Sequence, residues 1–327
     1  MKDFSATDVA IEGFMLAGRK PGAVLTWSLA QLVVNVFLGV VVILLIGQDM
    51  QLIASPDSAG SWSEPGMRGR MFAALFRVQS LYALGALGGG AVQSCAVYRA
   101  CRRPEEKGLG YFKFGRDELR MVGLNLLYLL LWLGAYVALI VWFVVAIIVA
   151  GIVAAGMDKG PAQTALVVLL SVIGMVGPVL AVGWVLVRLS LSGPMTFALR
   201  KVQLWPSWKL TRGHVWALSG AYLISLVLAL AGMVVGSCLA LLIGLLITHQ
   251  GLGGLYQMAF RPDYQSIAAF FSPERLVVLA GNALFMGLVM AVWYSPAAEA
   301  YRMLAAPEPA AAPPPSDDAP VRKGPWG

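Results

Sequence analysis

Apolar residues in this chain neither alternate nor recur once per helical turn. They run almost unbroken, six times over, in stretches covering residues 21–47, 71–98, 120–157, 161–191, 214–248 and 273–304. Each stretch exceeds the roughly 20 residues that cross a hydrocarbon core about 30 Å thick, so each predicts a transmembrane helix. A membrane β-barrel would show shorter, alternating segments. The third run is too long for one upright crossing at about 1.5 Å per residue and predicts tilt, a kink or projection beyond one leaflet. In the fourth, Gly177-Pro178 marks a kink, because proline withdraws a backbone donor.

The segments between the runs differ in character. Residues 1–20 read as an N-terminal arm, and residues 48–70 as a loop rich in Ser, Pro and Gly. Residues 249–275 are apolar enough to lie on the membrane interface, with Ser272, Pro273 and Glu274 supplying cap, first-turn proline and first-turn acid to the last helix. Residues 305–327 form a Pro/Ala-rich tail expected to be disordered. The first run is about twice the length of a signal-peptide core and starts far from Met1, so it is expected to stay as an anchor.

Composition agrees with the pattern. The chain is 59% hydrophobic and 13% charged, with a mean hydropathy of +0.75, whereas soluble domains are roughly one quarter charged. The expected class is an all-α integral membrane protein of six helices, residues 21–304 forming the membrane domain. Charge then sets orientation. Lysine and arginine gather in the N-terminal arm, around residues 99–120 and 188–212, and in the tail. By the positive-inside rule both termini are cytoplasmic. The net charge of +7 is thereby explained as a topology signal, and no nucleic-acid partner is implied.

The segments entering the odd helices, "MLAGRKPG", "FKFGRDEL" and "WKLTRGHV", place Arg19, Arg116 and Arg212 at near-equal steps. The even helices leave through "VYRACRR", "LVRLS" and "AYRML". The pattern suggests three hairpins inserted in the same orientation, either by triplication of one unit or because every such hairpin must begin and end near basic residues.

Catalytic chemistry has little to work with. His214 and His249 are the two histidines, predicted on opposite sides of the membrane, so no shared metal or acid–base pair is expected. There is no HExxH, GxSxG or Walker loop. Cys95, Cys101 and Cys238 form neither a disulfide framework nor a metal-binding spacing. Glu105, Glu106, Asp117 and Glu118 alternate with basic residues and read as a solvated charged face. No cofactor, metal or catalytic set is predicted, and the chain is expected not to be an enzyme.

Within the runs the polar groups are neutral: Gln31 and Asn35 on one face of the first helix, Gln93 on the second, Asn125 on the third and Asn282 on the sixth. Such amides hold helices together or line a polar path. Glu299 lies within reach of Arg302, as a structural pair. Gly85 with Gly89, and Gly232 with Gly236, fit the GxxxG spacing of close helix packing, the second helix being the better candidate.

The densest polar stretch is "WPSWKLTRGHVW", residues 205–216. Before it, Ser192-Gly193-Pro194 signals a helix start, and Phe197, Leu199, Val202, Leu204 and Trp205 would enter the acyl boundary from an amphipathic segment. Arg188, Arg200, Lys201, Lys209 and Arg212 would meet phosphate headgroups, while Trp208 and Trp216 suit the interfacial aromatic belt. Two readings stand: a lipid-facing collar, or a surface for an anionic lipid or a membrane-protein partner. Arg188, Pro194 and "SWKLTRGHVW" resemble uncharacterised bacterial six-helix families related to the membrane domain of glycerophosphoryl diester phosphodiesterases, over about Gly183 to Leu246. The resemblance implies an all-helical domain of a bacterial cytoplasmic (inner) membrane and brings no activity with it. The expected role is a membrane-embedded scaffold or lipid-interacting accessory factor, with a carrier or channel for an uncharged or lipid-like solute as the alternative.

Overall fold

A computed structural model describes residues 4–54, 65–106, 108–156, 160–248, 251, 253–254 and 263–305. Among them there is no strand, and six helices are long and apolar enough to cross a membrane. In chain order the helices are α1 (Ala6–Arg19), α2 (Pro21–Ala54), α3 (Pro65–Arg102), α4 (Arg116–Ala155), α5 (Pro161–Leu189), α6 (Ser192–Leu199), α7 (Trp205–Leu210), α8 (Val215–Thr248), α9 (Ile267–Phe270) and α10 (Pro273–Leu304). A 3-10 turn, Leu109–Tyr111, precedes α4. The six long ones, α2, α3, α4, α5, α8 and α10, make this a multi-pass membrane protein.

The expected arm is a packed helix. Ser5 caps α1 by accepting from the Asp8 amide at 3.2 Å, and Arg19 stands in its last turn where the helix dipole favours a cation. Val9, Gly13 and Leu16 recur at helical spacing and are buried. Gly13 lies against the backbone of α10, so close that a methyl there would collide with Val292. The charged residues of residues 1–20 had concealed that stripe.

The last helix occupies the centre. α10 touches α1, α2, α3, α6 and α8, and its buried residues run from Val278 to Tyr301. Backbones approach closely where side chains are small: a methyl on Gly287 would meet the Val24 carbonyl and Ser28, and one on Gly281 would meet Ala240. Ser28 donates from that contact to the Leu284 carbonyl at 2.7 Å. As expected, Ser272 caps α10 from the Arg275 amide, with Pro273 and Glu274 in its first turn.

α4 and α5 lie at the periphery, with long apolar faces exposed on the surface that lipid would cover. Pro178 sits inside α5, which runs on through it. The carbonyl that proline leaves without its usual donor, that of Gly174, accepts the Trp142 indole N–H of α4 at 2.9 Å.

One expected loop is shorter than predicted. α2 continues to Ala54 and α3 begins at Pro65, so only residues 55–64 of the predicted 48–70 loop lie outside the described residues. Most of residues 249–262, His249 among them, and the tail from residue 306 also lie outside them. At that same end of the bundle Arg77 pairs with Asp49 at 2.6 Å, and Phe270 and Phe271 close over Gly39.

Candidate functional site: a basic end and an intramembrane cavity

The opposite end of the bundle collects α1, the connection from α3 to α4, α6, α7 and the last turns of α10. Three apolar clusters anchor it, around Tyr98 and Phe197, around Val9 and Tyr301, and around Trp27 and Met290. Its polar core is an ion network. Arg99 is 2% exposed and Glu118 5%; they pair at 2.6 Å. Arg99 also donates to the Tyr111 carbonyl at 2.6 Å, and Arg103 reaches Asp117 at 3.1 Å. The residues expected as a solvated face therefore include a buried pair. The cause is the turn at Gly110 and Tyr111, both at positive φ. It folds back so that Trp27 donates to the Gly110 carbonyl at 2.6 Å and Lys20 to the Tyr111 hydroxyl at 2.8 Å. Toward the rim, Glu106 accepts from Lys113 at 2.7 Å, which holds its carboxyl below the usual range.

A second charged group joins α1 to α10. Glu12 pairs with Arg19, and Glu299 with Arg302 at 2.7 Å. The two carboxylates share a cavity of about 220 Å³ with Lys20 and Arg102. Burial pushes the Glu12 carboxyl up, against the lowering pull of Arg19, and the charge of Glu299 adds to the rise.

The stretch 205–216 divides into an inner and an outer face. Ser207 and Thr211 are buried, and Ser207 donates to the Arg188 carbonyl at the end of α5 at 2.8 Å. The Trp208 and Trp184 rings meet edge-on at 5.0 Å, with the Arg188 guanidinium 5.1 and 5.5 Å from the two ring centres. Arg188 and Trp208 thus clamp α7 to α5. On the outer face, Trp205 is 66% and Trp216 89% exposed. Arg200, Lys201, Lys209 and Arg212 are exposed, and among the described residues none of them has an acidic partner. α6 is not a surface helix: Phe197 and Leu204 belong to the core, because the segment from Ser192 to Phe197 is inserted between α3, α4 and α10.

The intramembrane amides meet across helices. Gln93 of α3 donates to Gln31 of α2 at 2.7 Å, and Gln31 donates to Asn35 at 2.9 Å. Asn125 of α4 donates to the Leu87 carbonyl of α3 at 3.1 Å, and Asn282 accepts from Ser237 at 3.3 Å. Of the four glycines in the GxxxG pairs, Gly236 is pressed against Phe285, Gly85 is in ordinary contact with Leu38, and Gly89 and Gly232 face open space. Close packing therefore falls on α8 and not, as expected, on α3.

Above the basic end lies a cavity of about 710 Å³ between α3, α4, α5, α8 and α10. Among the described residues its wall carries no carboxylate, imidazole or cation, but it does carry Tyr98, Tyr128, Tyr222 and Tyr294. Tyr128 donates to the Leu189 carbonyl at 2.7 Å and also meets Ser192. Tyr222 donates to Ser190 at 2.9 Å. Sequence reading passed over these tyrosines. Their one signal is that each lies within about three helical turns of a basic residue at the same end, which is also where an aromatic belt would put them.

Compared with protein-family models, with curated proteins and with solved structures, the chain matches none.

Proposed function

We propose that this chain is a non-enzymatic membrane protein that engages anionic lipid headgroups at its basic end, as a membrane-embedded scaffold or lipid-interacting accessory factor. The observation behind this reading is the set of exposed cations, Arg200, Lys201, Lys209 and Arg212, which lack acidic partners among the described residues and are flanked by exposed Trp205 and Trp216. Lysine and arginine at a bilayer surface each gain about 1 kcal/mol from anionic lipid, and exposed indoles settle at the headgroup level. On the same proposal the basic end faces the cytoplasm with both termini, the six helices form three like-oriented hairpins, and the membrane is a bacterial inner membrane. The resemblance of "SWKLTRGHVW" to bacterial six-helix families supports that placement.

The test is native mass spectrometry of the protein gently extracted from its own membrane. Retained anionic lipid or a stoichiometric partner is expected for the natural chain. Glutamine at Arg200, Lys201, Lys209 and Arg212 together should reduce that retention tenfold or more, at about 1 kcal/mol for each charge. Unchanged lipid and partner retention in this variant defeats the reading. The alternative, a transporter or channel for an uncharged or lipid-like solute, draws on the amide chain of Gln93, Gln31 and Asn35 as a polar path, and solute flux lost with Asn35→Leu would favour it.

A further inference from the structure

The 710 Å³ cavity shares the wall residues Tyr128, Trp132 and Leu186 with a second space of about 560 Å³ between α4 and α5. Both volumes fall within the roughly 300–1,000 Å³ of small-ligand sites. The second space is walled by aliphatic and aromatic side chains, and Leu131, Trp142 and Ile173 on its rim are exposed on the lipid-facing surface. In a bilayer it opens sideways onto acyl chains.

At the inner end most polar groups satisfy one another. Tyr128, Tyr222 and Asn125 donate to neighbours, and Ser94 and Ser225 donate to carbonyls of their own helices. Two donors remain. Tyr98 is 5% exposed, its ring lies edge-on to that of Tyr294 at 6.4 Å, and neither hydroxyl has a hydrogen-bond partner among the described residues. Tyr98 is a buried residue and Tyr294 a half-buried one, and both line the cavity, so each hydroxyl is free to donate to a ligand acceptor there. Among the described residues no cation lines the space to hold a phosphate or carboxylate.

We propose that these two spaces form one binding site for a long-chain neutral lipid. Its uncharged head presents a carbonyl oxygen, of an ester or a quinone, to Tyr98 and Tyr294, and its tail lies in the groove between α4 and α5. The site rests on the lipid-interacting reading of the chain but shares no residue with the basic surface.

The full chain in zwitterionic nanodiscs is irradiated with two probes carrying a tail diazirine, a diacylglycerol and a prenylated benzoquinone. Labelled peptides are mapped by mass spectrometry. Labelling should fall on α4 and α5 around the groove and be competed by excess unlabelled probe. Tyr98→Phe with Tyr294→Phe keeps both rings and should weaken competable labelling by about tenfold or more through two lost hydrogen bonds. Gly183→Leu, on the cavity wall where a Cβ meets nothing within 4 Å, should abolish it. Capture of only one probe identifies ester or quinone as the source; capture of both identifies the carbonyl itself. Uncompeted labelling spread over the whole lipid-facing surface overturns the proposal, as does competable labelling that neither variant alters. Anionic lipid retained by the same preparations is recorded in parallel, so loss of this site is distinguished from loss of the basic surface.

Discussion

At Arg99 a charged side chain is withdrawn almost wholly from solvent, and buried Glu118, with the more exposed Glu106 at 3.4 Å, is what makes that tolerable. Removing one member of such a pair leaves the other charge buried without compensation, at a cost of about 3 kcal/mol, whereas replacing both with apolar groups is often close to neutral. Glu118→Leu should therefore lower the melting temperature in detergent sharply, and Arg99→Met added to it should recover most of the loss. Additive losses, the double variant melting lower than either single variant by the sum of their effects, would show that the two residues are not coupled. Sequence spacing made both residues visible and misjudged their surroundings. Their burial depends on a turn that only Gly110 and a strained Tyr111 make, and on Phe197, which arrives from far along the chain to stack beside Arg99 and Arg103. A reading along the chain sees charge density; it does not see the aromatic lid.

Helices show the opposite balance. All six membrane crossings were legible because an apolar run of sufficient length has no alternative in lipid. Less legible were α1 and α6, since a short helix is fixed by what it touches. α1 hides three small or apolar contacts among charges, and α6 reads as interfacial although Phe197 and Met195 are core residues. Proline in α5 was visible as well, but not the repair of its backbone by Trp142. Trp142→Phe should cost roughly 1 kcal/mol in the natural chain. In a Pro178→Ala background the same change should cost little, because the restored amide at position 178 takes over the Gly174 carbonyl. A thermal double-mutant cycle measures this, and additive losses would show that the indole bond is not a substitute for the missing amide.

Across the whole molecule, buried side chains gather at the basic end, where α1 packs against α10. Glu12 binds a proton more tightly in the folded protein than in the unfolded chain, because burial outweighs the pull of Arg19. Its contribution therefore falls as pH rises from the ordinary carboxylate range through its raised folded value. Glu12→Gln mimics the protonated form, so its melting temperature should match that of the natural chain at about pH 4 and exceed it increasingly toward pH 7. A constant difference across that range would argue against this role for Glu12. The hydroxyl-lined cavity was the part of the candidate site least visible in sequence, since its tyrosines come from four different helices and converge only when those helices pack. That packing has a temporal side. The helix on which α1, α2, α3 and α8 all converge is the last of the six to be synthesised. Chains emerge from the ribosome N-terminus first, so the earlier helices enter the bilayer with glycine and serine faces still unmatched. The contacts with α10 are thus the last that can form, and a nascent chain halted before Pro273 would lack the axle on which the other helices close.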